Sequence, residues 1–177
     1  HRDLHYPLRR QRQMCIRDSY KYIHIATHGL INETHPDLSA LILSRTITDN
    51  SLPYKESSVN LPENDGLLFS NELYDLDLQA HLVVLSACET GMGRLVNGEG
   101  VISMARGFLY AGIPNIIYTL WKVGDLSTHK LMVSFYNGLL QGMTYAGALQ
   151  KAKLEMIRDE KYAYPLFWGG YTLIGPG

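Results

Sequence analysis

The stretch HLVVLSACETGMG, residues 81–93, carries the reading of the fold. Apolar or small residues run from Leu82 to Ala87 into Cys88, and the chain then breaks into Glu-Thr-Gly-Met-Gly. An unbroken apolar run of strand length is expected of a strand in a parallel sheet, whose two faces are both covered by helices. The residues after Cys88 must turn sharply at the strand's carboxyl end, where ligands bind in open α/β sheets. Three roles are open to Cys88 at this point: a buried structural thiol, the entry to a phosphate loop, or a nucleophile held at a strand end.

Upstream, YKYIHIATHG (20–29) alternates and is rich in aromatic and β-branched residues, so it reads as a strand stopped by Gly29. LSALILS (38–44) reads as a second strand, able to pair as a hairpin with GLLFS (66–70) across a long polar loop at 45–65. NELYDLD (71–77) reads as a short helical turn. Downstream, residues 99–112 place Val101, Met104, Ala105, Phe108 and Leu109 at helical spacing, closed by Gly112 and Pro114. NIIYTLW (115–121) is a further central strand, followed by helices over about 126–141 and 144–158, and GYTLIG closes the chain as a last strand. Strands buried on two faces, alternating with amphipathic helices, give a layered α/β fold.

The chain of 177 residues fits a single domain with a sizeable core, and its 46% apolar and 19% charged residues are those of an ordinary globular protein. No apolar run approaches the roughly 20 residues that span a bilayer, so no membrane contact is expected. Two cysteines, Cys15 and Cys88, are too few for a disulfide framework or a thiolate zinc site, which points to a reducing, cytoplasmic setting. Residues 1–19 hold five of the 16 basic residues and two of the 17 acidic ones, so the remainder is acidic and shows no basic stripe for nucleic acid. This head lacks usable periodicity and reads as a non-native or disordered segment ahead of a domain at 20–177.

The glycines of GMGRLVNG match neither the dinucleotide G-x-G-x-x-G nor a P-loop, which needs Lys-Ser/Thr, and no G-x-S-x-G elbow marks a serine hydrolase. His24 and His28 are four apart, a metal spacing on a helix but not on a strand, and no third ligand has suitable spacing; neither metal nor cofactor is expected. His28 instead falls at the carboxyl end of its strand, just before Gly29. A histidine and a cysteine at the same rim of one sheet would supply a base and a thiol for nucleophilic catalysis.

HIATHG, LVVLSACETG, GEGVISMARGFLYAGIPNIIYTLWKVGD, FYNGLLQGMTYAGALQKA and FWGGYTLIG together resemble the CHAT domain family, caspase-like cysteine peptidase domains often found downstream of tetratricopeptide repeats in bacteria. The resemblance covers about residues 20–175. It implies a caspase-like three-layer α/β/α sandwich with a mostly parallel sheet, and cleavage of peptide bonds through a thioester. By motif, His28 is the catalytic histidine, Cys88 the nucleophile, and the backbone N–H groups of Gly29 and Cys88 the oxyanion hole. LWKVGD resembles a stretch in separases, where the acid lines a pocket for a basic residue, so Asp125 is a candidate substrate contact; it could equally cap the following helix. Glu89, beside the nucleophile, is a second candidate or a solvated rim carboxylate. Trp121 reads as a packing residue, and His35, His81 and His129 as surface or packing histidines.

The family's domain carries further strands before the histidine-bearing one, so the chain is expected to be the C-terminal portion of a CHAT domain, preceded in the full-length protein by a repeat region. Strand 20–27 should then have an unpaired edge. The expected partner is a protein or peptide substrate. The alternative function is a catalytically silent signalling or scaffold module of a larger repeat-containing protein.

Overall fold

A computed structural model describes residues 20–30, 32, 34–43, 66–86, 88–89 and 99–177, with positions 88, 89, 99–101 and 103 described by their backbone alone. The loop expected at 45–65 and the basic head lie outside the described residues, as do the glycines of the turn after Glu89. The described strands form two four-stranded sheets. In the first, β1 (Tyr22–Ile25), β5 (Leu82–Leu85) and β7 (Ile116–Thr119) are parallel, and β8 (Tyr171–Ile174) closes the sheet antiparallel to β7. In the second, β2 (His28–Leu30) pairs antiparallel with β3 (Ala40–Ile42) and parallel with β6 (Cys88–Glu89), while β4 (Leu67–Phe69) completes the hairpin with β3.

The buried run of β5 explains the layering. Side chains alternate across a strand, and Val83 and Leu85 pack with Met104, Ala105 and Phe108 of helix α1 (Glu99–Tyr110). Leu82 and Val84 point the other way, onto Leu131 and Phe135 of helix α2 (Asp125–Leu140) and Ala148, Leu149 and Ala152 of helix α3 (Tyr145–Arg158). All four β5 residues are buried. The sheet is thus covered by helix on both faces, with one apolar cluster on each, an α/β architecture with a mixed sheet.

Helix boundaries follow local chemistry. Thr144 caps α3, its hydroxyl accepting from the Gly147 N–H at 3.1 Å. Gly142 ends the turn before it at φ +82°, a conformation that costs glycine little. The hairpin, the short turn at Ser70–Asp75, the three helices and the last strand stand where the sequence pattern puts them, within a residue or two.

Two expectations are refined. The strand read over 20–29 is two strands, β1 and β2, parted at Ala26-Thr27, and the run ending at Cys88 is likewise β5 and β6. Each pair parts company with the first sheet and enters the second, and the Thr27 hydroxyl ties the break to the Ile42 carbonyl of β3. Second, β1 stands at the edge of the first sheet and, among the described residues, pairs only with β5; residues 1–19, which bear on the unpaired edge expected there, lie outside the described residues.

Candidate active site

The two broken strands stay in step across their breaks. Tyr22 faces Leu82 and Ile25 faces Leu85 in the first sheet; His28 faces Cys88 and Gly29 faces Glu89 in the second. The offset is the same in both ladders, so the apolar register of β1 on β5 also sets His28 opposite Cys88. A slip of one residue would move every side chain of a strand to the opposite face and expose the β5 core. The Ser86 N–H donates to the Ile25 carbonyl at 3.0 Å and extends the ladder into the break.

His28 is exposed and lines a cleft of about 840 Å³ between the strand ends and α2. On the strand side the cleft takes His24, Ala26, Thr27 and His28, and with them Ser86, while Ile23 and Ile25 pack on the α1 side. On the helix side it takes Asp125, His129, Val133 and Tyr136, which recur at helical spacing along α2. Helix α2 begins shortly after the carboxyl end of β7, so its N-terminus lies at the rim to which β1 and β5 run, and the helix returns from there across the sheet. Asp125 and His28 belong to that rim, and Tyr136 to the deeper end.

Asp125 is the first residue of α2, and its N-cap is Gly124, with no side-chain cap bond. The Ser127 hydroxyl donates to the Gly124 carbonyl at 2.7 Å. The capping role open to Asp125 in the sequence is therefore not the one its carboxylate takes. An exposed carboxylate in the first turn sits well with the helix dipole and faces the cleft. Trp121 packs as expected: its indole N–H donates to the Leu166 carbonyl at 3.0 Å, and its ring leaves no room for a side chain at Gly170. Glu89 is placed in register with Gly29. Gly29 is buried, and a Cβ added there would meet only the Ala40 carbonyl oxygen, at 3.8 Å.

Sequence reasoning missed the deeper end of the cleft. His24 Nε2 lies 2.8 Å from Ser86 Oγ, and His24 Nδ1 lies 3.1 Å from the Tyr136 hydroxyl. Burial lowers the His24 imidazole below its ordinary value and pushes the Tyr136 phenol up to about 12, so both are neutral near pH 7. His129, read from sequence as a surface or packing residue, also lines the cleft. The signal for His24 was its shared parity with His28; nothing in the spacing of residues 112 positions apart signals Tyr136. Among the described residues, no group of three or more His, Cys, Asp or Glu is arranged to hold a metal ion, and no helix is long and apolar enough to cross a membrane.

Two curated relatives are similar to this chain. Tetratricopeptide repeat protein 28 of Mus musculus is 31% identical over 132 residues, 75% of this chain and 5% of the relative. Tetratricopeptide repeat protein 28 of Homo sapiens is 28% identical over 189 aligned residues, 94% of this chain and 7% of the relative. The chain thus spans a small fraction of the length of either. The sequence profile of the CHAT domain matches residues 7–176, beginning inside the basic head and reaching almost to the last residue. With His28 and Cys88 in register beside a cleft and that match running nearly end to end, the chain belongs to the CHAT domain family.

Proposed function

We propose that the chain is the caspase-like cysteine peptidase domain of a larger protein that also carries a repeat region. The observation that carries this reading is the register of His28 with Cys88 at the rim of the cleft. Neighbouring positions in register on adjacent strands belong to the same face of a sheet, so one substrate carbonyl can be reached from both. In this mechanism Cys88 attacks the carbonyl as the thiolate, with His28 as the base that takes its proton. His28 then donates a proton to the leaving amine, and water hydrolyses the thioester. Free thiols have pKa about 8.5, so the imidazole is needed at neutral pH.

The backbone N–H groups of Gly29 and Cys88 are assigned to the oxyanion by the family resemblance. The fold itself does not demand a glycine at position 29, since a Cβ would meet only ordinary contact distance; a requirement imposed by an approaching substrate accounts for it. Asp125 is assigned to a basic substrate side chain at the rim, and Glu89 to the substrate path beside the nucleophile. The relatives' names describe repeat proteins, which supports a repeat region as the covalent neighbour.

A thiol-directed activity probe applied to the wild-type chain and to Cys88→Ala tests the reading. Labelling confined to the wild type is expected; equal labelling of both excludes Cys88 as the reactive thiol and leaves the silent signalling module as the function.

A further inference from the structure

The deeper end of the cleft holds a chain of three hydrogen-bonding groups joined by two contacts, Ser86–His24 and His24–Tyr136. A neutral imidazole carries one N–H, and each hydroxyl carries one O–H. Three donors and two bonds leave one donor over, whichever tautomer His24 adopts. If the Ser86 O–H donates to Nε2, then Nδ1–H donates to the Tyr136 oxygen and the Tyr136 O–H is spare. If the Tyr136 O–H donates to Nδ1, then Nε2–H donates to Ser86 and the Ser86 O–H is spare. Both hydroxyl-bearing residues line the cleft, and His24 keeps an exposed edge there.

The position of this group along the cleft matters as much as its donor count. Asp125 and Tyr136 are eleven residues apart on α2, about 16 Å at the helical rise. His24 and His28 are about 13 Å apart at the extended rise. A peptide bound at His28 and Asp125 can therefore reach the three-residue chain with a side chain two to three residues removed, or with one long side chain. No cation stands among the three residues themselves, and the charged groups that line the cleft among the described residues, Lys122 and Asp125, both follow the carboxyl end of β7 at the far rim, so the spare donor calls for a neutral acceptor.

We propose that His24, Ser86 and Tyr136 form a second specificity subsite, which takes an uncharged hydrogen-bond-accepting side chain, the amide of Gln or Asn, at one position of the bound peptide. The assignment rests on the reading of the cleft as the substrate site. It deepens that reading by naming a second recognition element besides the acidic rim. The donor count has an unusual consequence. Removing either hydroxyl leaves two groups, one bond and again one spare donor, so single substitutions keep the selectivity. Only replacing all three polar groups removes it, and apolar replacement of every partner avoids the cost of stranding one of them.

The test separates this proposal from the nucleophile assignment by using binding rather than turnover. A positional-scanning library of acetylated pentapeptides is titrated against the Cys88→Ala chain, with Gln compared against Met and Glu at each position. Gln is expected to bind about 3–10-fold more tightly than Met at one position, the range of one net hydrogen bond. Ser86→Ala or Tyr136→Phe added singly should keep that preference, and His24→Leu/Ser86→Ala/Tyr136→Phe together should bring the ratio to about one. Circular dichroism and Tm on each variant confirm that the chain is folded. Absence of a Gln preference at every position, no measurable binding, a preference for Glu, or a ratio unchanged in the triple variant would each overturn the subsite. Failure of the thiol probe to label Cys88 would overturn the peptidase mechanism and leave this binding result standing.

Discussion

His28 and Cys88 occupy opposed positions in the parallel β2–β6 ladder, and that relationship is inherited from the apolar register of β1 on β5. The core therefore sets the geometry of the rim. Leu82, Val83 and Val84 are fully buried, and a slipped register would expose them. Two residues sixty positions apart in sequence are thus aligned by residues that take no part in any chemistry.

The first prediction concerns the histidine. His28 is exposed and, among the described residues, no core side chain bonds to its ring, so His28→Ala should leave stability within about 0.5 kcal/mol of the wild type. If it serves as the base for Cys88, the rate of peptide cleavage near pH 7 should fall about 10²–10⁴-fold, and that of thiol alkylation by at most about 30-fold, because a free thiol is still about 3% thiolate at that pH. Stopped-flow alkylation with a small haloacetamide, together with a thermal melt, measures both. An unchanged rate with an unchanged melt removes His28 from the mechanism.

The second is a pH dependence of stability. Burial lowers the folded-state value of His24 below its ordinary 6.5. In the interval between the two, the unfolded chain binds the proton and the folded chain does not, so acidification favours unfolding. The contribution of His24 is therefore complete above pH 6.5 and declines as pH falls through and below it. Denaturant midpoints measured from pH 7.5 to 5 should drop more steeply for the wild type than for His24→Gln, whose side chain has no proton to take up. Parallel slopes would mean that the imidazole is not desolvated.

Much of this architecture was legible in the sequence, and the exceptions have a common cause. The all-apolar LVVL of β5 announced burial on two faces, and the amphipathic spacing of α1, α2 and α3 announced helices on a sheet. Gly142 and Thr144 marked a helix end and a helix start. What the pattern could not show was where a strand changes partner. ATHG and SAC continue the strand pattern, yet β2 and β6 lie in a second sheet, and the contact made at the first break, from Thr27 to the Ile42 carbonyl, is a tertiary one that local spacing does not signal. The same holds for the site: motif matching singled out His28, Cys88 and Asp125, whereas the bond between His24 and Tyr136 exists only once α2 is laid across β1.

A third prediction follows from how closely α2 and α3 approach. A Cβ at Gly138 would stand 2.9 Å from the Ala148 Cβ and 3.2 Å from its Cα. Alanine would gain about 0.8–1.0 kcal/mol of intrinsic helix propensity over glycine. Overpacking against a backbone atom costs about 1–3 kcal/mol, because a helix must move. Because the contact is with backbone as well as with a side chain, the steric cost outweighs the gain, and Gly138→Ala should destabilise the chain by up to about 2 kcal/mol, read from urea unfolding. A stabilised variant would show that the two helices can separate freely.

Asp125 supplies the last prediction, because its two possible contributions differ in size and in what they affect. Its carboxylate lies in the first turn of α2, exposed, and makes no capping bond. Interaction with the helix dipole is then worth about 0.3–1 kcal/mol, which Asp125→Asn would forfeit as a small fall in Tm. If the carboxylate also meets a basic substrate side chain at the rim, charge-assisted hydrogen bonding contributes about 1.5–3 kcal/mol. Loss of that contact should lower kcat/KM for peptides with Arg before the scissile bond by about 10–150-fold, while peptides with a neutral residue there change little. Paired fluorogenic peptides differing only in Arg or norleucine make the comparison. A uniform loss across both peptides would assign Asp125 to the helix alone, and a loss confined to Arg would assign it to the substrate.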